Sequence, residues 1–512
     1  LLSLPVPSAP GLSQRWQEIY ASGSDLGTAA PRLRDLSKVQ LRAGTLFRER
    51  KFIESLLDRH RRFGGDAQSL AAVEDLGAGA ACVVTGQQPH LLTGPFYTVW
   101  KLLGAIALAQ RLEEIHARKV VPVYWCGSDD SDFAEVGSAW LFDPERGPWR
   151  LRIPAAEWRP GMPVGDIASA EVARLEKAAL AALRGPGLEW FRNAAAGIGD
   201  RDLGDRAAAW VLRMFRESGL VVVDARDDLL VTAARPLLER YAAVRAEATV
   251  AVDERVQARE KQGWAPALDP SARESGIFGR RDGLRLKLSP AEIDSGEARG
   301  LRWSPSVLLR PVVQDALLAP VAVVLGPGEL AYHAEIAPLY DLLGVEAARP
   351  VPRPHLTLIG RGWEWPEEPD QIRDLLGGSS RAARILSRMG LPAEQREVFD
   401  DFGQNLDAAL HDLEFRLGHP LAARARARMQ RELQRLISAE ADRIGGAMPV
   451  ARRIEWLARG KVPQERIYSS WMLWAWFADP VEAVLRPLAE AYVHAVDQGS
   501  SVQWALPVVE IP

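Results

Sequence analysis

Two continuous apolar runs, Ala80-Ala81-Cys82-Val83-Val84-Thr85 and Val120 to Cys126, flank a helical stretch from about Phe96 to Ala117, and this arrangement limits the fold more than any other feature. An apolar run without polar alternation suits a strand covered on both faces. Strand, loop, helix and strand in about forty-five residues make a βαβ unit, whose crossover is right-handed and whose strands are parallel. Similar runs recur at Leu220 to Asp224 and at Val321 to Leu325, each after a helical pattern. A doubly wound parallel α/β sheet uses all of them. Between them Ile277 to Leu288 predicts a β-hairpin turning at Asp282-Gly283, in an insertion near residues 250–300. Upstream, Ser13 to Ser22 and Leu41 to Arg62 read as helices.

The last third has another texture. Phe399, Phe402, Leu406, Leu410, Leu413 and Leu417 keep a three-and-four spacing, Gly418-His419-Pro420 interrupts it, and a second helix runs to about Ile444. This predicts an antiparallel helical hairpin of coiled-coil character. Trp456, Trp471, Trp474, Trp476 and Trp504 follow, rings that should pack on the core or on a partner subunit. The expected division is a core over 1–391, the hairpin over 392–445 and a Trp-rich segment over 446–512.

With 512 residues, 47% hydrophobic and 25% charged, the chain can bury a sizeable core. A net charge of −4 gives no electrostatic reason to expect nucleic acid or an anionic membrane surface. Charge or proline breaks every apolar stretch short of a membrane span, and Leu1 to Gly11 lacks a basic n-region, so the cytoplasm is the expected location. The only cysteines, Cys82 and Cys126, sit in strand-like runs, as core residues of a reduced protein would.

Three segments carry candidate chemistry. The first holds Gly86, Gln87, Gln88, Thr93, Gly94 and Tyr97, directly after the first strand. Ligands of open α/β sheets bind at the carboxyl ends of strands, where N–H groups at a helix N-terminus meet anions. A glycine-stabilised turn with solvated glutamines is the alternative. The second follows the next strand and places Asp129, Asp130, Asp132 and Glu135 within seven residues. Such carboxylates repel unless solvated, protonated or paired. They suit binding a substrate ammonium, ordering sugar hydroxyls or general-base work, and equally a capped helix start. No histidine lies nearby in sequence, so no metal site is expected. The third holds Arg310, Gln314 and Asp315, then Gly326, Gly328, Glu329 and Tyr332. Arg310 is a natural carboxylate or phosphate clamp, the Gly-Pro-Gly run is also ordinary turn chemistry, and His333 reads as a helix-surface residue.

Together these segments resemble the bacillithiol synthase family, the cysteine-adding enzymes of bacillithiol biosynthesis. Thr85 to Tyr97 is similar to the family's Gly-Gln-Gln…Thr-Gly-Pro-hydrophobic-Tyr motif, Leu309 to Asp315 to its Leu-Arg-Pro-x-x-Gln-Asp element, and Gly326 to Tyr332 to its glycine-rich Glu-hydrophobic-Ala-Tyr segment. Gly219 to Asp224, Arg285-Leu286-Lys287, Pro350 to Arg353 and Pro463-Gln464-Glu465-Arg466 also fit, so the likeness spans roughly residues 40 to 470. The resemblance implies a Rossmann-like core related to class I aminoacyl-tRNA synthetases and nucleotidyltransferases, with a coiled coil that mediates a homodimer. It implies amide formation between the carboxyl of cysteine and the amine of glucosaminyl-malate. Activation of that carboxyl by ATP, with magnesium and through an aminoacyl adenylate, follows by analogy of fold, although no Walker motif marks a nucleotide site. On this reading Gly86, Gln87, Gln88, Thr93 and Gly94 form one wall, Asp129, Asp130 and Asp132 the floor, and Arg310, Gln314 and Glu329 the far side. The family's acidic segment reads Glu-Asp-His-Asp-Phe with a second histidine after it, whereas Ser131 and Ser138 stand at those places here. That departure keeps two other readings open: a catalytically silent nucleotide- or sugar-binding dimer, and a nucleotidyltransferase acting on another small molecule.

Overall fold

The computed structural model describes residues 27–31, 33, 35–274, 276–360, 371, 374–375, 381–417, 419, 423–444, 450–459, 462–477 and 479–498, with backbone alone at 2–3, 274, 359–360, 423–425, 482–483 and 503–508. Its principal strands are β1 (Ala81–Gln87), β2 (Val120–Cys126), β3 (Ser138–Asp143), β4 (Gly147–Arg152), β5 (Val221–Asp224), β6 (Ile277–Arg281), β7 (Leu284–Lys287), β8 (Arg302–Pro305), β9 (Ala322–Leu325), β10 (Arg349–Pro352) and β11 (His355–Gly360). Its principal helices are α1 (Arg50–Phe63), α2 (Ala67–Gly77), α3 (Phe96–His116), α4 (Leu203–Met214), α5 (Asp228–Lys261), α6 (Arg310–Leu318), α7 (Pro327–Glu335), α8 (Ala337–Leu343), α9 (Ala393–Leu417), α10 (Ala423–Ile444) and α11 (Trp471–Trp476).

The four apolar runs, joined by β10 at one edge, form a five-stranded, wholly parallel sheet in the order β10-β9-β1-β2-β5. Val323, Val84, Val123 and Val221 lie in one row across it, the β-branched side chains a pleated, doubly covered surface favours. Successive residues feed opposite cores. Val83, Tyr124 and Val222 meet α3, α4 and the C-terminal aromatics, while Val84, Val123 and Val223 meet α1, α5 and α6. Chain order turns back between β1 and β9, and that is where a sheet of this kind opens a crevice for ligands.

The hairpin turns where expected, with Asp282 at φ +51° and Gly283 at φ +78°, and gains a third antiparallel strand in β8. Cys82 and Cys126 are buried free thiols, both pushed up by burial. The expected helix from Leu41 is corrected. Helix α1 begins only at Arg50, because Arg42 anchors the preceding stretch to the carbonyls of Ala319, Pro320 and Ala347, and Gly44 presses against Leu318, where a Cβ would lie 2.5 Å from the carbonyl oxygen. Trp456, Trp471, Trp474 and Trp476 pack on the core: Trp456 meets Phe142 and Tyr468, Trp471 meets Phe191 and Trp210, Trp474 meets Phe215, and Trp476 meets Trp456. The expected helix at Ser13 to Ser22, the ring of Trp504, and Gly418 and Pro420 of the interhelical turn lie outside the described residues.

His60 joins α1 to the sheet. Its Nδ1 lies 2.7 Å from the Leu56 carbonyl and its Nε2 accepts the Val222 N–H at 3.0 Å, which fixes a neutral tautomer. Burial pushes its pKa down to about 4. A folded value below the unfolded one means a contribution fully present above the unfolded pKa of 6.5 and lost as pH falls towards 4. Replacing His60 with leucine should cost about 1–3 kcal/mol by orphaning the Val222 N–H. Urea unfolding at pH 7.5 and 5 should also show a shallower acid decline in the variant than in the unaltered chain.

Candidate active site at the sheet switch point

A cavity of about 1050 Å³ opens at the carboxyl ends of β1 and β9. Gly86, Gln87 and Gln88 at the end of β1 form one side; Arg310 and Gln314 of α6, and Gly326, Gly328, Glu329 and Tyr332 at the start of α7, form the other. Tyr97, Asp130 and Asp132 complete the sequence-read lining. Arg310 and Gln314 are four residues apart on one helical face, as are Glu329 and His333.

Lys101 holds the two sides together. It sits in a helix whose neighbouring residues are otherwise apolar, and its Nζ donates to the Gly86 carbonyl at 3.0 Å and to Gln87 Oε1 at 2.8 Å, and pairs with Glu329 at 2.6 Å. Glu329 Oε2 also accepts the Gly326 N–H at 2.7 Å, closing the first turn of α7. Burial works to raise the Glu329 carboxyl, but Lys101 and the Gly326 N–H hold it below the usual glutamate range. Burial pushes the Lys101 ammonium down while Glu329 opposes it.

Asp130 faces Gln88 at 2.9 Å and Arg310 at 3.6 Å, and accepts the Ser131 N–H at 2.7 Å. Burial would raise its carboxyl, yet Arg310, Arg285 and Gln88 together hold it low, so it is an anion at neutral pH. Glu135 behaves oppositely. Burial and the Asp132 charge raise it, and it lies 3.5 Å from the Tyr97 hydroxyl, 3.3 Å from Gln87 Nε2 and 3.7 Å from His90. A carboxylate with a raised pKa accepts protons more readily than a depressed one, so of the two carboxylates Glu135 suits base chemistry better than Asp130. Asp132 caps the short helix Phe133–Val136 through the Glu135 N–H, so the capped-start reading holds for this residue although it also borders the cavity.

Four expected site residues lie off the cavity lining. Asp129 turns towards Arg285 of the hairpin, at 3.6 Å. Asp315 is one position beyond Gln314, hence about 100° around the helix, and accepts from the Tyr340 hydroxyl at 3.0 Å and the Ala348 N–H at 2.8 Å. Burial pushes it up to about 6. Thr93 and Gly94 belong to a left-handed run, Leu92 φ +53°, Thr93 φ +57° and Gly94 φ +79°, that turns the chain towards α3. The α3 N-terminus does not meet the cavity as an anion hole, because the Phe96 N–H donates to the Tyr468 carbonyl at 2.9 Å.

Sequence reasoning passed over other lining residues. His333 is buried rather than on the helix surface, lies beside the Tyr332 ring at a tilt and is pushed down to about 4 by burial. Its spacing from Glu329 was the available signal. Trp264, after the C-terminus of α5, supplies an aromatic edge. Arg353, His355, Glu465 and Arg466 form the remaining wall. Glu465 accepts two hydrogen bonds from Arg353 at 2.7 and 3.0 Å and lies 2.9 Å from His355 Nδ1. Gln464 beside it bonds both the N–H and the carbonyl of Leu358, docking this segment on β11 as a strand would. At Ser138, where the family motif has its second histidine, the hydroxyl accepts from Arg150 at 2.6 Å.

A parallel sheet in this strand order, with a cavity carrying several charged side chains at its switch point, defines a Rossmann-like α/β protein. The profile described as "Bacillithiol biosynthesis BshC, N-terminal Rossmann-like domain" matches residues 14–354. The chain therefore belongs to the BshC family. Among its relatives, proteins named "Putative cysteine ligase BshC" from Geobacillus thermodenitrificans and Desulforamulus reducens are 29% and 30% identical to it, over 64% and 60% of this chain. The matches span 63% and 60% of those relatives' own length. The protein of the same name from Koribacter versatilis is 29% identical over 77% of this chain and 78% of its own. No described helix is long and apolar enough to cross a membrane.

Proposed function

We propose that this chain is a cytoplasmic cysteine ligase of bacillithiol biosynthesis, forming the amide between the carboxyl of cysteine and the amine of glucosaminyl-malate. The observation that carries the reading is the convergence of three family-like segments, Gly86 to Gln88, Arg310 to Gln314 and Gly326 to Tyr332, on one cavity at the switch point. Asp130, held as an anion between Gln88 and Arg310, orients the attacking amine as its ammonium form loses a proton. Glu135 takes that proton, with Tyr97 and Gln87 fixing its carboxylate. Arg310 holds a malate carboxylate or a phosphate, since a guanidinium matches either in two-point geometry.

For a nucleotide, Arg310 would face the phosphates, and magnesium would offset their charge in a lining that already carries Asp130, Asp132, Glu135, Glu329 and Glu465. The N-termini of α3 and α7 are a poorer match, since the Phe96 and Gly326 N–H groups are already engaged. Bound there, ATP would supply a leaving group for the cysteine carboxyl, which is otherwise uphill to amidate in water. The core, the α9–α10 hairpin and the Trp-rich segment are proposed as the functional divisions. Helices α9 and α10 lie side by side through Arg426 and Glu414 at 2.9 Å, and leave Phe402, Phe415 and Leu436 exposed. Those side chains support coiled-coil pairing with a second copy.

The test is mass spectrometry of the purified chain with cysteine, glucosaminyl-malate, ATP and magnesium, beside a control without ATP. Cysteinyl product is expected, and Asp130→Asn should lower its rate at least about a hundredfold while leaving the melting temperature in place. A folded chain that forms no product would favour binding without turnover, the reading to which Ser131 and Ser138 point.

A further inference from the structure

The cavity's other cations are matched by carboxylates: Lys101 by Glu329, Arg353 by Glu465 and Arg310 by Asp130. Arg466 is the exception, for among the described residues it makes no ion pair. It borders the cavity close enough to Tyr97 to lower that hydroxyl's pKa against the burial that raises it.

Three more arginines gather around Trp140, beside the segment that carries Arg466. Trp140 of β3 lies opposite Arg150 of β4, and Ser138 opposite Arg152. Trp140 also bridges in parallel to Tyr468, two residues after Arg466, and its carbonyl accepts the Ser469 N–H at 2.8 Å. The segment bearing Arg466 therefore runs directly beside the hairpin bearing Arg150 and Arg152. Arg459 reaches the same ring, its guanidinium 3.8 Å from the Trp140 centroid, and Arg150 lies 5.4 Å from it. Among the described residues none of Arg150, Arg152 and Arg459 pairs with a carboxylate, and all four arginines are exposed.

Crowding like charges costs energy unless solvent or an anion offsets it. Here the crowding is organised: cation–π contact with Trp140 and the Arg150–Ser138 hydrogen bond at 2.6 Å hold guanidinia in place before any ligand arrives. Fixed guanidinia suit a multiply charged oxyanion, because each offers paired N–H donors at the spacing of a carboxylate or phosphate edge.

We propose that Arg150, Arg152, Arg459 and Arg466 form a binding site for a small multivalent oxyanion at the cavity rim. The site holds the charged end of a molecule whose other end enters the cavity. A dicarboxylate and a pyrophosphate group present the same chemistry to it. The proposal goes beyond the ligase reading, since it concerns recognition whatever bond is made.

Calorimetric titration of the whole chain with L-malate, and separately with inorganic pyrophosphate, distinguishes the two sources. At least one should bind, and binding should weaken as sodium chloride rises from about 50 to about 300 mM. R150A/R459A and R466A should each weaken it at least about tenfold. Loss of malate alone would assign the rim to a dicarboxylate, and loss of pyrophosphate alone to a phosphate-bearing ligand. All these side chains are exposed, so melting temperatures should not move; if one does, R150K/R459K, which keeps the charge, should retain more binding than the alanine pair. Failure of both probes to bind the unaltered chain, or equal binding by the variants, would overturn the proposal. Missing cysteinyl product with arginine-dependent anion binding intact removes only the ligase reading; the converse removes only this site.

Discussion

Lys101→Met is expected to lower the unfolding free energy by about 3–5 kcal/mol, the usual cost of removing one partner of a buried ion pair. Methionine keeps most of lysine's apolar stem, so the change removes the ammonium with its charge and donors while disturbing packing little. It leaves Glu329 buried without its cation and strips a donor from the Gly86 carbonyl and from Gln87 Oε1. These partners lie on both sides of the switch point, so the ends of β1 and α7 should loosen together and product formation should fall with stability. K101M/E329Q should be less destabilised than the sum of its single variants, because the double change leaves no orphaned carboxylate. The pH dependence has a definite sign. Glu329 is held below its unfolded value of 4.5, so its contribution is present above that pH and is lost as pH falls through the folded value. Without Lys101 only the Gly326 N–H and Arg310 oppose burial, so the carboxyl rises and the deficit of K101M should shrink on acidification. Urea unfolding of the four proteins at pH 7 and pH 5 measures both effects; a K101M within about 1 kcal/mol of the unaltered chain would show that the staple is not what holds the crevice.

The same staple shows where a sequence can and cannot be read. The strands β1, β2, β5 and β9 were legible because their β-branched runs are buried on both faces and leave no other use for so much apolar surface. Asp282-Gly283 was legible because two successive left-handed residues are demanded by the turn itself. Gln87, Gln88 and Glu329 could be placed beside the crevice because they end or follow β1 and β9, whose carboxyl ends open there. Asp315 misled because a motif is linear while a helix rotates each successive residue by about 100°. Lys101 did leave a signal, a solitary charge amid Trp100, Leu102 and Leu103, which only burial in a paired state explains. Arg353 and Glu465 each lie in a family-like segment, but their pairing left no signal, since 112 residues separate them and only the docking of the C-terminal segment brings them together. The profile match ends at residue 354, yet the cavity wall needs Glu465 and Arg466, so part of the site is supplied by chain beyond the matched domain.

Glu465→Ala tests that docking and should have an effect as large as that of Lys101→Met. Glu465 is almost wholly buried, accepts both Arg353 bonds, meets His355 and lies within 3.4 Å of the Leu356 N–H. Alanine removes this carboxylate from a buried guanidinium and should cost about 3–5 kcal/mol. Glu465→Gln keeps the shape and one acceptor oxygen, so it should fall between alanine and the unaltered chain. Burial works to raise the Glu465 carboxyl, but Arg353 and His355 hold it well below the usual range. Its stabilisation is therefore complete above the unfolded value of 4.5 and fades as pH falls below it, so E465A should lose part of the acid dependence seen with Glu465 present. His355 shifts for a different reason. Burial and Arg353 lower its pKa while Glu465 opposes them, so deleting Glu465 should push the imidazole further down. Because Gln464 holds Leu358 next door, the segment should stay near β11 while Arg466 loses its fixed position. Turnover should then fall more steeply than stability at temperatures well below the melting point. A variant with an undiminished turnover rate and a destabilisation under about 1 kcal/mol would detach this segment from the site altogether.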